Sequence, residues 1–180
     1  MGKIIMKTWK NMQIFIMRHG QASSMAAADA ERPLTQHGVD EVTLMANWLK
    51  SLLLTFDKIF VSPFKRAQQT ANTVTALLND NSGVISNFIT TLDFITPSGS
   101  AHECRDYIDR VLHDKEMKNG EKEQRVLIIS HMPLVSYLVA ELTHQQNCPI
   151  FQTAAIAEIN YDEETMTGQL QQLISPNDLH

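Results

Sequence analysis

Ile14-Phe15-Ile16-Met17-Arg18-His19-Gly20 is the stretch whose reading decides the fold. Its first four residues are apolar, two of them β-branched, and read as a short buried strand. The strand runs directly into an arginine, a histidine and a glycine. Ligands of α/β proteins sit at the carboxyl ends of the strands, so Arg18 and His19 are predicted at the rim of a site. Gly20 is read as the residue that lets the chain turn and approach a ligand without a Cβ in the way.

Outward from that stretch, the same layout recurs twice. Lys58-Ile59-Phe60-Val61 reads as a strand and delivers Ser62-Pro63-Phe64-Lys65-Arg66; Ser62 as cap and Pro63 in the first turn then start a helix. Its predicted core face is Ala67, Thr70, Ala71, Val74 and Leu78. Arg125 to Ile129 is the clearest buried strand in the chain and leads into Ser130-His131-Met132-Pro133, followed by a helix through Leu134, Val135, Leu138, Val139 and Leu142. Between the first two strands, Thr35 is a plausible N-cap for a helix whose apolar stripe is Val42, Met45, Ala46, Leu49 and Leu52. Val84 to Leu92 reads as a weaker strand, and a helix from about Ala101 carries Tyr107, Ile108, Val111 and Leu112. Thr153 to Ile159 and Gly168 to Ile174 read as a hairpin at one sheet edge. Alternating strands and helices predict a three-layer α/β/α fold with a largely parallel central sheet.

The length of 180 residues suits one domain with a single substantial core. Residues 1–11, basic through Lys3, Lys7 and Lys10, read as a loose extension, 12–175 as the domain, and 176–180 as a C-terminal tail. A net charge of -5 disfavours a general nucleic-acid binder. Any anion site must come from a local positive pocket. No apolar run approaches membrane-spanning length. Cys104 and Cys148 suggest neither a metal motif nor a disulfide framework, and the cytoplasm is the expected compartment. His102-Glu103-Cys104 cannot place three ligands on one helix face, so no metal is expected there.

Parallel strands bring their ends to one edge, so the three polar clusters are predicted to converge. Two guanidiniums and two imidazoles in one pocket make a phosphate site by chemistry, because arginine presents paired planar donors to oxyanions. Taken singly, each residue has a plainer reading. A strand-end histidine is usually structural, Arg66 alone suits a solvated helix face, and Ser62 and Thr35 suit helix caps. It is the combination that carries chemistry.

Arg18-His19-Gly20, Leu34-Thr35 with Gly38, Ser62-Pro63 with Arg66-Ala67 and Gln69-Thr70-Ala71, and Ser130-His131 with Pro133 resemble the histidine phosphatase superfamily, the fold of the phosphoglycerate mutases. More narrowly, Arg32-Pro33-Leu34-Thr35, Met45-Ala46-Asn47-Trp48-Leu49-Lys50 and Tyr137-Leu138-Val139-Ala140-Glu141-Leu142 resemble the bacterial protein phosphohistidine phosphatases of the SixA type. The resemblance implies that His19 is a nucleophile forming a phosphohistidine intermediate. Its attacking nitrogen must then be unprotonated, with the other held by a backbone carbonyl. Arg18, Arg66 and His131 are implied around the transferring oxygens, with Gly20, Gln21, Ser62 and Thr153 as secondary substrate contacts. No cofactor or metal is implied.

The chain departs from the wider family at the general acid. Many members carry a glutamate after the third strand; here the neighbourhood is Thr91-Leu92-Asp93-Phe94-Ile95-Thr96-Pro97, with Asp93 one place away. An imidazole leaves more readily than an alkoxide and needs less help from an acid, so the departure points to an N–P substrate. Residues 79–101 and 142–153 are too short for a lid domain, which suggests an open bowl. The expected partner is a histidine-containing phosphotransfer domain or a phosphocarrier protein, with no nucleic acid or membrane partner, and a monomer is expected. The rival expectations are a phosphomonoesterase or mutase acting on a small phosphate, and a phosphate-binding module without turnover.

Overall fold

The computed structural model describes residues 11–78, 89–113 and 124–179. One six-stranded sheet runs through the chain in the order β3-β2-β4-β1-β5-β6, with β1 at Asn11–Arg18, β2 at Lys58–Val61, β3 at Ile89–Thr91, β4 at Gln124–Ser130, β5 at Ile156–Asp162 and β6 at Thr167–Ile174. The four strands from β3 to β1 are parallel, while β5 runs antiparallel to β1 and closes a hairpin with β6 at the sheet edge. The alternation of side chains along each strand splits the core in two. In β1, Ile14 and Ile16 enter the cluster built on α3 (Ala101–His113) and α4 (Leu134–Thr143). Phe15 and Met17 enter the cluster built on α1 (Gln36–Ser51) and α2 (Lys65–Leu78). Helices therefore cover both faces, giving the three-layer α/β/α architecture.

Register places the chemistry. Arg18 pairs with Ser130 and Val61 with Ile129, so the residues just past β1, β2 and β4 leave the sheet at one level. Main-chain bonds extend that level by one step: His19 N–H donates to the Ser130 carbonyl at 3.0 Å and Ser62 N–H to the Ile129 carbonyl at 3.1 Å. The loop after β1 is folded back on itself by an antiparallel bridge between Ala22 and Leu34, and it carries a 3-10 turn at Asp29–Glu31. Thr35 then caps α1, its hydroxyl accepting the Gly38 N–H at 3.0 Å. A cap of this kind contributes about 1 kcal/mol.

Several expected boundaries differ. Helix α2 begins at Lys65 rather than at Ser62, because the Phe64 carbonyl accepts the first helical N–H groups and Ser62 has other partners. Leu52 is exposed rather than in the α1 stripe, since it is the C-cap, where the helix has ended. Strand β5 begins at Ile156 rather than Thr153. Of the expected strand 84–92, Ile89–Thr91 is a strand and 84–88 lie outside the described residues. The expected extension also lies outside them, apart from Asn11, which opens β1. Among the described residues no helix is long and apolar enough to cross a membrane.

Candidate active site

The two imidazoles delivered by β1 and β4 face each other, with ring centroids 5.0 Å apart at 56°. His19 is 7 % exposed and His131 1 %. The Nδ1 of His19 lies 2.6 Å from the Gly20 carbonyl, to which it donates. Arg66 Nε–H donates to its Nε2 at 3.1 Å. A nitrogen that accepts a hydrogen bond carries a lone pair, so this ring is the neutral tautomer protonated on Nδ1. Burial is the main reason its pKa falls from the ordinary value to about 4; the Gly20 carbonyl opposes the fall, while Arg66, Arg18 and Arg32 deepen it. His131 falls to about 3, by burial first and then by repulsion from His19 and Arg66. Both rings are therefore neutral near pH 7.

Around them lies a cavity of ≈ 440 Å³ whose lining includes Arg18, Arg32 and Arg66. Arg18 is fixed through Nη1 donating to the Phe151 carbonyl at 2.7 Å, and its buried Nε has no hydrogen-bond partner among the described residues. Arg66 is 3 % exposed and stacks its guanidinium 5.1 Å over the Phe64 ring. That ring also packs edge to face against His131, with centroids 5.1 Å apart, so Phe64 touches both groups. The outer edge of Arg66 is held by Asp29: Nη1 donates to its main-chain carbonyl at 2.6 Å and Nη2 to its carboxylate at 3.0 Å. The same carboxylate accepts Arg32 Nη1 at 3.0 Å. These two hydrogen bonds hold the Asp29 carboxyl below its ordinary range, so it is ionised and poorly suited to donate a proton.

The sequence-derived residues fall into two groups. Arg18, His19, Gln21, Arg66, His131 and Thr153 line the cavity; Gly20 and Ser62 act from behind it. A Cβ on Gly20 would stand 2.4 Å from the Gly38 carbonyl, so the approach of α1 requires glycine there. Ser62 is fully buried and its hydroxyl is 2.6 Å from His131 Nε2; it orients that ring and is not the helix cap expected from Ser-Pro. Thr153 donates its hydroxyl proton to Glu41 at 2.5 Å, which leaves only lone pairs for the cavity. Gln21 Oε1 accepts from Thr35 at 2.8 Å. Asp93 is exposed, and the segment that follows it contributes Pro97 to the lining instead.

Sequence reading missed Asp29 and Glu41 and gave Arg32 no part in the site. Arg32 was accessible, as a third cation in the loop after the first strand. The two carboxylates gave no signal, because only the folded-back loop and the packing of α1 bring them to the arginines. Glu41 also accepts the Gln21 N–H at 2.8 Å and so ties the loops after β1 and before β5 to α1.

The family model for the histidine phosphatase superfamily (branch 1) matches residues 14–88. The phosphohistidine phosphatase SixA of Escherichia coli is 43% identical over 84% of this chain and 87% of that protein. The SixA homologue of Haemophilus influenzae is 40% identical over 84% of this chain and 89% of its own. The solved structure of the protein histidine phosphatase SixA complexed with tungstate superposes with a TM-score of 0.81 at 41% identity, covering 94% of this chain and all of that one. With the convergent imidazoles and guanidiniums, these likenesses place the chain: it belongs to the histidine phosphatase superfamily, as a homologue of the SixA phosphohistidine phosphatases.

Proposed function

We infer that the protein is a hydrolase that removes phosphate from a phosphorylated histidine on another protein, through a covalent phosphohistidine at His19. The observation that carries the reading is the protonation state of His19. Its Nδ1–H is held on the Gly20 carbonyl, and its Nε2 lone pair opens on a cavity with three guanidiniums. In the first step the Nε2 lone pair attacks phosphorus and the P–N bond of the substrate breaks. The substrate ring, protonated on its other nitrogen, leaves as neutral imidazole and needs no proton from the enzyme. In the second step water attacks phosphorus, the P–Nε2 bond breaks, and orthophosphate and a proton are released. Gly20 holds the Nδ1 proton throughout, so His19 departs as the tautomer in which it began.

Arg18, Arg66 and Arg32 supply the charge that a transferring phosphoryl group requires. Phosphate replaces His19 as the acceptor of the Arg66 Nε–H when Nε2 attacks. With the Ser62 hydroxyl donating to Nε2 of His131, that ring carries its proton on Nδ1, a buried atom without a partner among the described residues, and offers it to a phosphoryl oxygen. Gly20, Gln21, Ser62 and Thr153 support this arrangement and do not act on phosphorus. Asp93 is exposed and the Asp29 carboxyl is held ionised by two arginines. Neither is placed to protonate an alkoxide, which favours an N–P substrate over an ordinary monoester. A histidine-containing phosphotransfer domain or a phosphocarrier protein fits an open cavity, and a single chain supplies every group named. The cytoplasm, where free thiols such as Cys104 and Cys148 stay reduced, is the compartment this reading assigns.

Turnover of a phosphohistidine-bearing protein and of an aryl phosphate, measured side by side, tests the assignment. The expected result is fast loss of phosphate from the protein and slow loss from the aryl ester. Equal or faster hydrolysis of the ester would contradict it.

A further inference from the structure

The carboxylate of Asp29 occupies guanidinium donors that a phosphate would also seek. We propose that Asp29 is a positioning residue that holds Arg66 against His19 while keeping phosphate from binding too tightly, so that the product escapes. The inference rests on the reading of the cavity as a phosphate cradle.

Arg66 has five N–H groups. One is on His19 Nε2, one on the Asp29 carbonyl and one on the Asp29 carboxylate, which leaves two for a ligand. Fixing the outer edge of a planar fork fixes the inner edge, so the Asp29 contacts set where Nε points. The carboxylate is also shared with Arg32 at 3.0 Å, so one negative charge is set against two of the three cavity cations. Orthophosphate brings up to two negative charges into that field, and a fixed anion beside it opposes binding. The Asp29 side chain is 54% exposed, so the opposition is screened and depends on salt. Arg66 itself is only 4% exposed, so the contacts that Asp29 makes at its outer edge weigh on its orientation. The main-chain carbonyl of residue 29 supplies orientation that any substitution retains; the carboxylate supplies both orientation and charge.

The two contributions separate in a pair of variants. Asp29→Asn keeps one oxygen acceptor, for Arg66 Nη2, and removes the charge together with the acceptor for Arg32, whereas Asp29→Ala removes the charge and both acceptors. Binding of inorganic phosphate to the free protein, followed by calorimetry at low and high salt, should be about fivefold tighter in Asp29→Asn than in wild type, as expected for removing about 1 kcal/mol of opposing charge. The difference should shrink as salt rises. Single-turnover transfer from a phosphohistidine protein should slow less in Asp29→Asn than in Asp29→Ala, while steady-state turnover of Asp29→Asn becomes limited by release of phosphate. Unchanged or weaker phosphate binding by Asp29→Asn overturns the proposal. So does a single-turnover step as slow in Asp29→Asn as in Asp29→Ala. If wild type binds phosphate but attacks only ester substrates, the functional reading fails and the Asp29 proposal stands; if wild type binds no phosphate, both fall.

Discussion

At the scale of the residue, the chemistry reduces to one lone pair on one imidazole. An ordinary histidine is half protonated near pH 6.5 and would lose its nucleophile through the acidic half of the physiological range. Burial among three guanidiniums moves that loss to about pH 4 for His19. Proton NMR titration should therefore show the His19 ring neutral from pH 7 down to about 5. A His19 midpoint near 6.5 would refute the assignment. Bound phosphate supplies the opposite charge, so saturating orthophosphate should raise the midpoint. Ser62→Ala should leave His19 unaltered but free the His131 ring, lowering kcat by about tenfold to a hundredfold with little change in KM, as for loss of one oriented transition-state donor. A kcat equal to wild type would remove Ser62 from the mechanism.

At the scale of the element, the site is a matter of how closely α1 meets the loop after β1. Gly20 and Gly38 face each other: a Cβ on Gly38 would lie 2.1 Å from the Gln21 carbonyl. Main chain cannot give way as a flexible side chain can. Gly38→Ala should cost about 2 kcal/mol by urea denaturation and should also impair turnover, because the displaced Gln21 carbonyl belongs to the segment that follows His19. Full stability in that variant would show that the contact is looser than described. This is also where sequence reading reached its limit. Strands that end in Arg-His, Ser-Pro and Ser-His are legible because apolar runs with polar ends are local patterns. Whether the Ser62 hydroxyl caps a helix or orients a distant imidazole is not local, and Ser-Pro looks the same in either case. The apolar spacing through Leu52 likewise continues past the point where α1 stops.

At the scale of the molecule, four parallel strands and an antiparallel hairpin set the clusters at one level, and the order of strands needed the coordinates even though the layer architecture did not. The convergence of Arg18, His19, Arg66 and His131 was legible because parallel connections force strand ends together. Asp29, Glu41 and the part taken by Arg32 were not, since they reach the site by loop closure and helix packing. The pair of buried neutral imidazoles also sets a global pH dependence. Their folded pKa values of about 4 and about 3 lie below the ordinary 6.5, so between those limits the unfolded chain binds more protons. Stability is then full above about pH 6.5 and is lost as pH falls toward 3, by at most roughly 1.4 kcal/mol per pH unit for each ring. Thermal melts between pH 7 and 5 should show a falling Tm, and the fall should be smaller in His131→Gln. An equal fall in that variant would assign the acid sensitivity to other groups.

The covalent step is open to direct observation. Mixing the protein with a radiolabelled phosphohistidine protein, quenching in alkali within milliseconds and mapping the label should place acid-labile phosphate on the peptide carrying His19, with none on that peptide in His19→Ala. Direct release of orthophosphate with no labelled enzyme, at a rate that His19→Ala retains, would contradict the account.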